Sequence, residues 1–210
     1  MVLNNINSDL QELCEYAIER GASRAKFFDA AVVVVDARVR LKCRVPLCDD
    51  YGIHLMCPPN VPSVNEMQEL VAKYSYALLL QLDYPISGEL KELIRSKDSV
   101  TEIYKSQAFK NEYRVPLDRS RKRLHEIVNK VEAKAYSMGF YFATGFIGGS
   151  CKLCAQCVSQ QSGEPCPQPF KARPSIEAVG IDAFKTAKNI GFELAPPKDI
   201  VRWTGLILVD

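Results

Sequence analysis

Seven of the eight cysteines in this chain fall into two short stretches, and their spacing points to metal ligation. The denser stretch runs Gly148-Gly149-Ser150-Cys151-Lys152-Leu153-Cys154-Ala155-Gln156-Cys157 and reaches Cys166-Pro167 after eight more residues. A short loop can turn Cys151, Cys154 and Cys157 toward one point, with Cys166 as a fourth thiolate, which is what a cubane iron–sulfur cluster requires. The two glycines permit tight turns and leave backbone N–H groups free to face cluster sulfides. The run is similar to that of bacterial ferredoxins, where the fourth cysteine often serves a neighbouring cluster, so the partner of Cys166 stays open. Zinc is the alternative metal. It also takes four thiolates, but its sites usually present two separated Cys-x2-Cys knuckles rather than three cysteines in unbroken steps.

The second set is Cys43, Cys48 and Cys57, the last followed by Pro58-Pro59. Soft thiolates select iron–sulfur clusters or zinc over harder metals. Three readings remain for this set. It holds a three-cysteine cluster with one open iron, it exchanges a ligand with the other site through Cys57 or Cys166, or it binds zinc with His54 as fourth ligand. An open iron would act as a Lewis acid toward a substrate, whereas a fully ligated cluster passes electrons or holds the fold. Asp49, Asp50, Tyr51 and His54 share the loop as acid, base or supporting groups; orientation of the backbone is the simpler role for them.

The composition bounds the classes. At 210 residues, 47% hydrophobic and 25% charged, the chain suits one globular domain, residues 1–210, with a real core. No apolar stretch is long enough for a membrane span, and Met1 to Asp9 lacks the pattern of a secretory signal. Cysteines without a signal peptide indicate a reducing compartment, with the cytoplasm as the expected location. A net charge of +2 gives no general reason to expect nucleic acid. The one dense basic run, Arg119 to Arg123, is read as a solvated helix face, with docking of an acidic redox protein as the alternative. There is no dinucleotide fingerprint, phosphate loop or nucleophile elbow. Oligomeric state has no signature.

The elements that must hold the cysteines are partly legible. Ser8 with Gln11 suggests a capping box opening a helix through Leu10, Leu13, Cys14, Ala17 and Ile18, closed by Gly21, which leaves Cys14 a small buried hydrophobe. Ala30 to Lys42 reads as a long strand leading into Cys43. Ser63 and Glu66 cap the next helix, and Tyr76 to Leu82 reads as a buried strand. A short helix after Ser87 and a lid or excursion over Lys97 to Tyr113 follow. Leu124, Ile127, Val128, Val131 and Ala135 mark a helix that ends near Gly139. Phe140 to Ile147 is a third strand, Pro174-Ser175 opens a helix that Gly191 closes, and Trp203 to Val209 is a terminal strand. Two loosely repeated halves, about 30–83 and 140–209, share the order strand, cysteine loop, helix, strand. Such a repeat would place both cysteine loops beyond strand ends on one edge of a sheet. The expected fold is therefore α/β, a single domain with a roughly four-stranded sheet, flanking helices and two cysteine-rich metal loops on one edge.

Taken together, Cys43, Cys48, Tyr51-Gly52, Cys57-Pro58-Pro59, Gly149, Cys151, Cys154, Cys157, Cys166-Pro167, Arg173-Pro174-Ser175, Glu177-Ala178 and Gly180-Ile181-Asp182 resemble domain of unknown function 2284. This is a family of predicted metal-binding proteins found mostly in anaerobic archaea and bacteria, and the resemblance covers most of the chain. It implies metal binding, iron–sulfur first, without implying a reaction. The expected function is electron transfer by one or two 4Fe–4S clusters in anaerobic metabolism, with a redox protein as partner. The alternatives are an enzyme with an open iron at the three-cysteine site and an interaction module stapled by zinc.

Overall fold

A computed structural model of the chain describes residues 3–85, 88, 92, 114–192 and 200–210. Strands β1 (Arg24–Asp29), β2 (Tyr76–Pro85), β3 (Thr144–Ile147) and β4 (Ile200–Val209) form one antiparallel sheet in the order β1-β2-β4-β3. Helices α1 (Leu3–Glu19), α2 (Ala37–Arg44), α3 (Val64–Val71), α4 (Arg114–Ser137) and α5 (Ala183–Asn189) accompany it. The architecture is mixed α/β.

Both faces of the sheet are covered, which explains why β2 is apolar without alternation. Leu78 and Leu80 of β2 and Ile207 and Val209 of β4 pack against Leu10, Leu13 and Ala17 of α1 and Leu124, Ile127 and Val131 of α4. Their neighbours Ala77, Leu79, Leu206 and Leu208 face the other way, onto Met67 and Val71 of α3, Ala187 of α5, and Ile176, Val179 and Ile181. Period-2 alternation thus sends each strand into two separate apolar clusters.

Several expected elements are present. The capping box of α3 is complete: the Glu66 N–H donates to Ser63 Oγ and the Ser63 N–H to Glu66 Oε2. The apolar stripe of α4 is buried along its length, and Cys14 lies buried on α1. Burial pushes the Cys14 thiol up to about 11.

Other segments depart from the reading of the sequence. The segment Ala30 to Lys42 is not a strand: Ala30–Val32 is a 3-10 turn, and Asp36 starts α2 by accepting the Arg38 N–H at 2.9 Å. The valines earn their burial as packing against the α3 face, with a single bridge from Val35 to Ile181. The first strand is instead β1, an edge strand that pairs with β2 on one side only. α1 begins at Leu3, upstream of Ser8, because Ile6 extends the apolar stripe. The third strand is confined to Thr144–Ile147. The helix expected after Pro174-Ser175 is split into a 3-10 turn, Glu177–Val179, and α5. Gly180 divides them at φ +83°, where a Cβ would lie 2.9 Å from Val64 Cγ2, so only glycine fits the reversal. The expected lid over Lys97 to Tyr113 and the short helix after Ser87 lie outside the described residues, Gly88 and Glu92 excepted.

Candidate metal centre

The loop carrying Cys151, Cys154, Cys157 and Cys166 springs from the end of β3 and returns to it. Ile147 donates its N–H to the Pro174 carbonyl at 3.1 Å and accepts from the Ile176 N–H at 2.8 Å, so one strand residue clamps both ends. The exit is tight: a Cβ on Gly148 would meet the Thr204 carbonyl oxygen at 2.8 Å, so β4 passes where a side chain would stand. On the return, Arg173 makes a two-pronged pair with Glu132 of α4, at 2.7 and 2.6 Å. Glu132 also accepts the Gly145 N–H of β3 at 2.8 Å. Arg173 is therefore a largely buried anchor, not a solvated cation.

All four thiols of this loop line one small cavity of about 20 Å³, together with His54, Leu153, Pro167 and Ala172. No carboxylate is among the described residues that line it. Burial pushes the Cys151 thiol up, opposed by a backbone N–H of Leu153 that donates to its sulfur. The Gln168 N–H donates to Cys166 Sγ at 3.4 Å.

The other three thiols sit beside a second cavity of about 190 Å³, lined by Cys43, Cys48 and Cys57 with Asp50, Tyr51 and Glu177. Cys43 occupies the last turn of α2, and Cys48 and Cys57 follow in the loop, so this group leaves a helix and not a strand. Cys57 is buried, and its thiol is pushed up to about 12, first by burial and then by the charges of Asp50, Cys48, Cys43 and Cys151. Cys43 is raised by burial, then by Cys48 and Glu177. No lysine or arginine is among the described residues that line this cavity.

The two loops are stitched together by Gln160. Its backbone N–H donates to the Ile53 carbonyl at 2.9 Å, and its side-chain amide donates to the carbonyls of His54 and Cys57 at 2.5 and 3.0 Å. Ser159, at φ +77°, sets the turn that aims it. His54 is the residue that changes sides: it lines the four-thiol cavity, and its Nε2 lies 3.2 Å from Asp50 Oδ1. It does not line the cavity of Cys43, Cys48 and Cys57, where it would have been a fourth zinc ligand. Glu177 lines that cavity and accepts the Gly149 N–H at 3.2 Å. The basic run is likewise divided. Arg121 stacks over Trp203 at 4.7 Å, and Arg123 donates to the Arg20 carbonyl at 2.7 Å, while Arg119 and Lys122 face solvent.

Gln160 and Glu177 escape sequence reasoning because a single amide or carboxylate in a loop has no spacing to betray it. Among the described residues, no three His, Cys, Asp or Glu side chains converge as the ligands of a single ion. Around one zinc the sulfurs would lie about 3.8 Å apart, from a Zn–S bond of about 2.3 Å. Four thiols lining one cavity are a donor set for a soft metal, held as a single ion or as a cluster. No helix among the described residues is long and apolar enough to cross a membrane. No curated protein and no solved structure shows a significant match to the chain. Residues 26–209 match the family of predicted metal-binding proteins, DUF2284, and with the cysteine-lined cavities falling inside that span the chain belongs to this family.

Proposed function

We propose that the protein is an iron–sulfur electron carrier, with Cys151, Cys154, Cys157 and Cys166 holding one cubane and Cys43, Cys48 and Cys57 contributing to a second. The observation that carries this reading is the lining of the smaller cavity, to which four thiols contribute with no carboxylate among its described lining residues. That is a donor set for soft metals. A bound cubane supplies one-electron transfer; the chain's own residues hold and shield it. Leu153 and Gln168 direct backbone N–H groups at the sulfurs of Cys151 and Cys166. Gln160 keeps the two loops in contact, so that electrons could pass between neighbouring centres. Exposed Arg119 and Lys122 suit an acidic redox protein as partner.

The test is purification under strict anoxia with iron, sulfide and zinc counts, followed by a redox titration. About eight irons per chain are expected for two cubanes, or about four for one, with a reversible one-electron response. Substitution of Cys154 by serine should remove about four irons, while Cys14→Ala should leave the count unchanged. Stoichiometric zinc without sulfide, in protein never exposed to oxygen, overturns the proposal.

A further inference from the structure

We infer that Glu177 is the fourth protein ligand of the centre formed by Cys43, Cys48 and Cys57, so that this centre is an iron–sulfur cluster with three thiolates and one carboxylate. The inference rests on the iron–sulfur reading above. Three thiols line the larger cavity, and the fourth cysteine of a four-thiolate set is missing from it. Cys14 is sealed in the core under α1, and the cysteines of the other loop line their own cavity. The two carboxylates that line the three-thiol cavity are Asp50 and Glu177. Asp50 already faces His54 Nε2 at 3.2 Å, which draws it toward the other loop.

Glu177 has no such partner. Its Oε2 accepts the Gly149 N–H at 3.2 Å, and the residue lines the three-thiol cavity. Three thiols and a carboxylate line the cavity with no lysine or arginine among its described residues, a donor set whose ionised form calls for a cation between the groups. A cluster iron is such a cation. The position of Glu177 is also built firmly. Ile176 is tied to Ile147 of β3, and Ser175 Oγ accepts the Ala178 N–H at 2.9 Å, so the 3-10 turn presents the carboxylate from a fixed base. An oxygen ligand exchanges more readily than a thiolate at a soft iron, which makes this corner the one where a small external ligand would enter.

The experiment uses the full chain loaded with clusters under anoxia, with wild type, E177Q and E177C compared by electron paramagnetic resonance after dithionite reduction, with and without cyanide. E177C, which restores a four-thiolate set, is expected to shift the spectrum and potential of one cluster and leave the other unmoved. E177Q is expected to make that same cluster sensitive to cyanide at concentrations that leave the wild type unchanged. A purely structural role for Glu177 would not produce a change confined to one cluster. Spectra indifferent to both substitutions overturn the inference, as does cyanide binding equal in wild type and E177Q, which would mean that the iron is open without Glu177. A wild-type chain that takes up no cluster overturns the proposed function together with this inference, whereas a loaded chain that ignores both substitutions overturns the inference alone.

Discussion

Gln160 shows how one side chain can join two sites that lie far apart in sequence. Its amide serves carbonyls at 2.5 and 3.0 Å in the first cysteine loop, and its backbone adds a further bond at 2.9 Å. Gln160→Ala removes the three side-chain bonds, to the carbonyls of His54, Cys57 and Pro58, and leaves carbonyls that water can reach only in part, so a loss of about 1–2 kcal/mol is expected. Urea unfolding of the metal-free chain checks it, and an unchanged midpoint would mean that the loops separate in solution. The cysteines themselves were legible, because ligand chemistry imposes a spacing that survives in the sequence. The direction of His54 was not. Whether it faces Cys57 or Cys154 depends on the turn at Gly52 and on the pairing with Asp50, and a composition of ligand-type residues says nothing about either.

Among elements, helices with a cap and a full apolar stripe were the easiest to read: α3 through Ser63 and Glu66, α4 through Leu124 to Ala135. Ala30 to Lys42 misled because a run of valines signals burial without naming the partner, and here the partner is the 3-10 turn and α3 face rather than another strand. β1 was missed for the converse reason, since an edge strand with Arg24, Lys26 and Asp29 carries a weak apolar pattern. The joint between α4, β3 and the returning cysteine loop depends on Glu132, which serves Arg173 twice and Gly145 once. Both side chains of the pair are 17% exposed, so truncating one strands its partner in a poorly hydrated place. Glu132→Ala is expected to cost about 2–4 kcal/mol. A double-mutant cycle with Arg173→Ala should recover a large part of that as coupling energy, and additive losses would show the pair to be independent.

For the molecule as a whole, the α/β class and the four-stranded count were readable, whereas the antiparallel order was not, since strand pairing is a long-range choice. Stability should also respond to acid through His125, a buried residue of α4 whose imidazole is held at about 4, chiefly by burial. Its folded value lies below the ordinary 6.5, so the unfolded chain takes up a proton that the folded chain refuses. The contribution is complete above pH 6.5 and declines as the pH falls toward 4, by about 3 kcal/mol in all. Denaturant midpoints across that range, compared with His125→Gln, check it; a parallel decline in the variant would assign the acid sensitivity elsewhere. The clamp at Ile147 has a further consequence. Because one strand residue holds both ends of the four-cysteine loop, and none of the seven candidate ligands belongs to either apolar cluster, the contacts that fix the ends of the loop are made by the chain itself. The loop is in effect hinged on a single residue, so its two ends are expected to stay together whether its cysteines are occupied or empty, and hydrogen exchange at the amides of Ile147 and Ile176, equal in loaded and stripped protein, checks it.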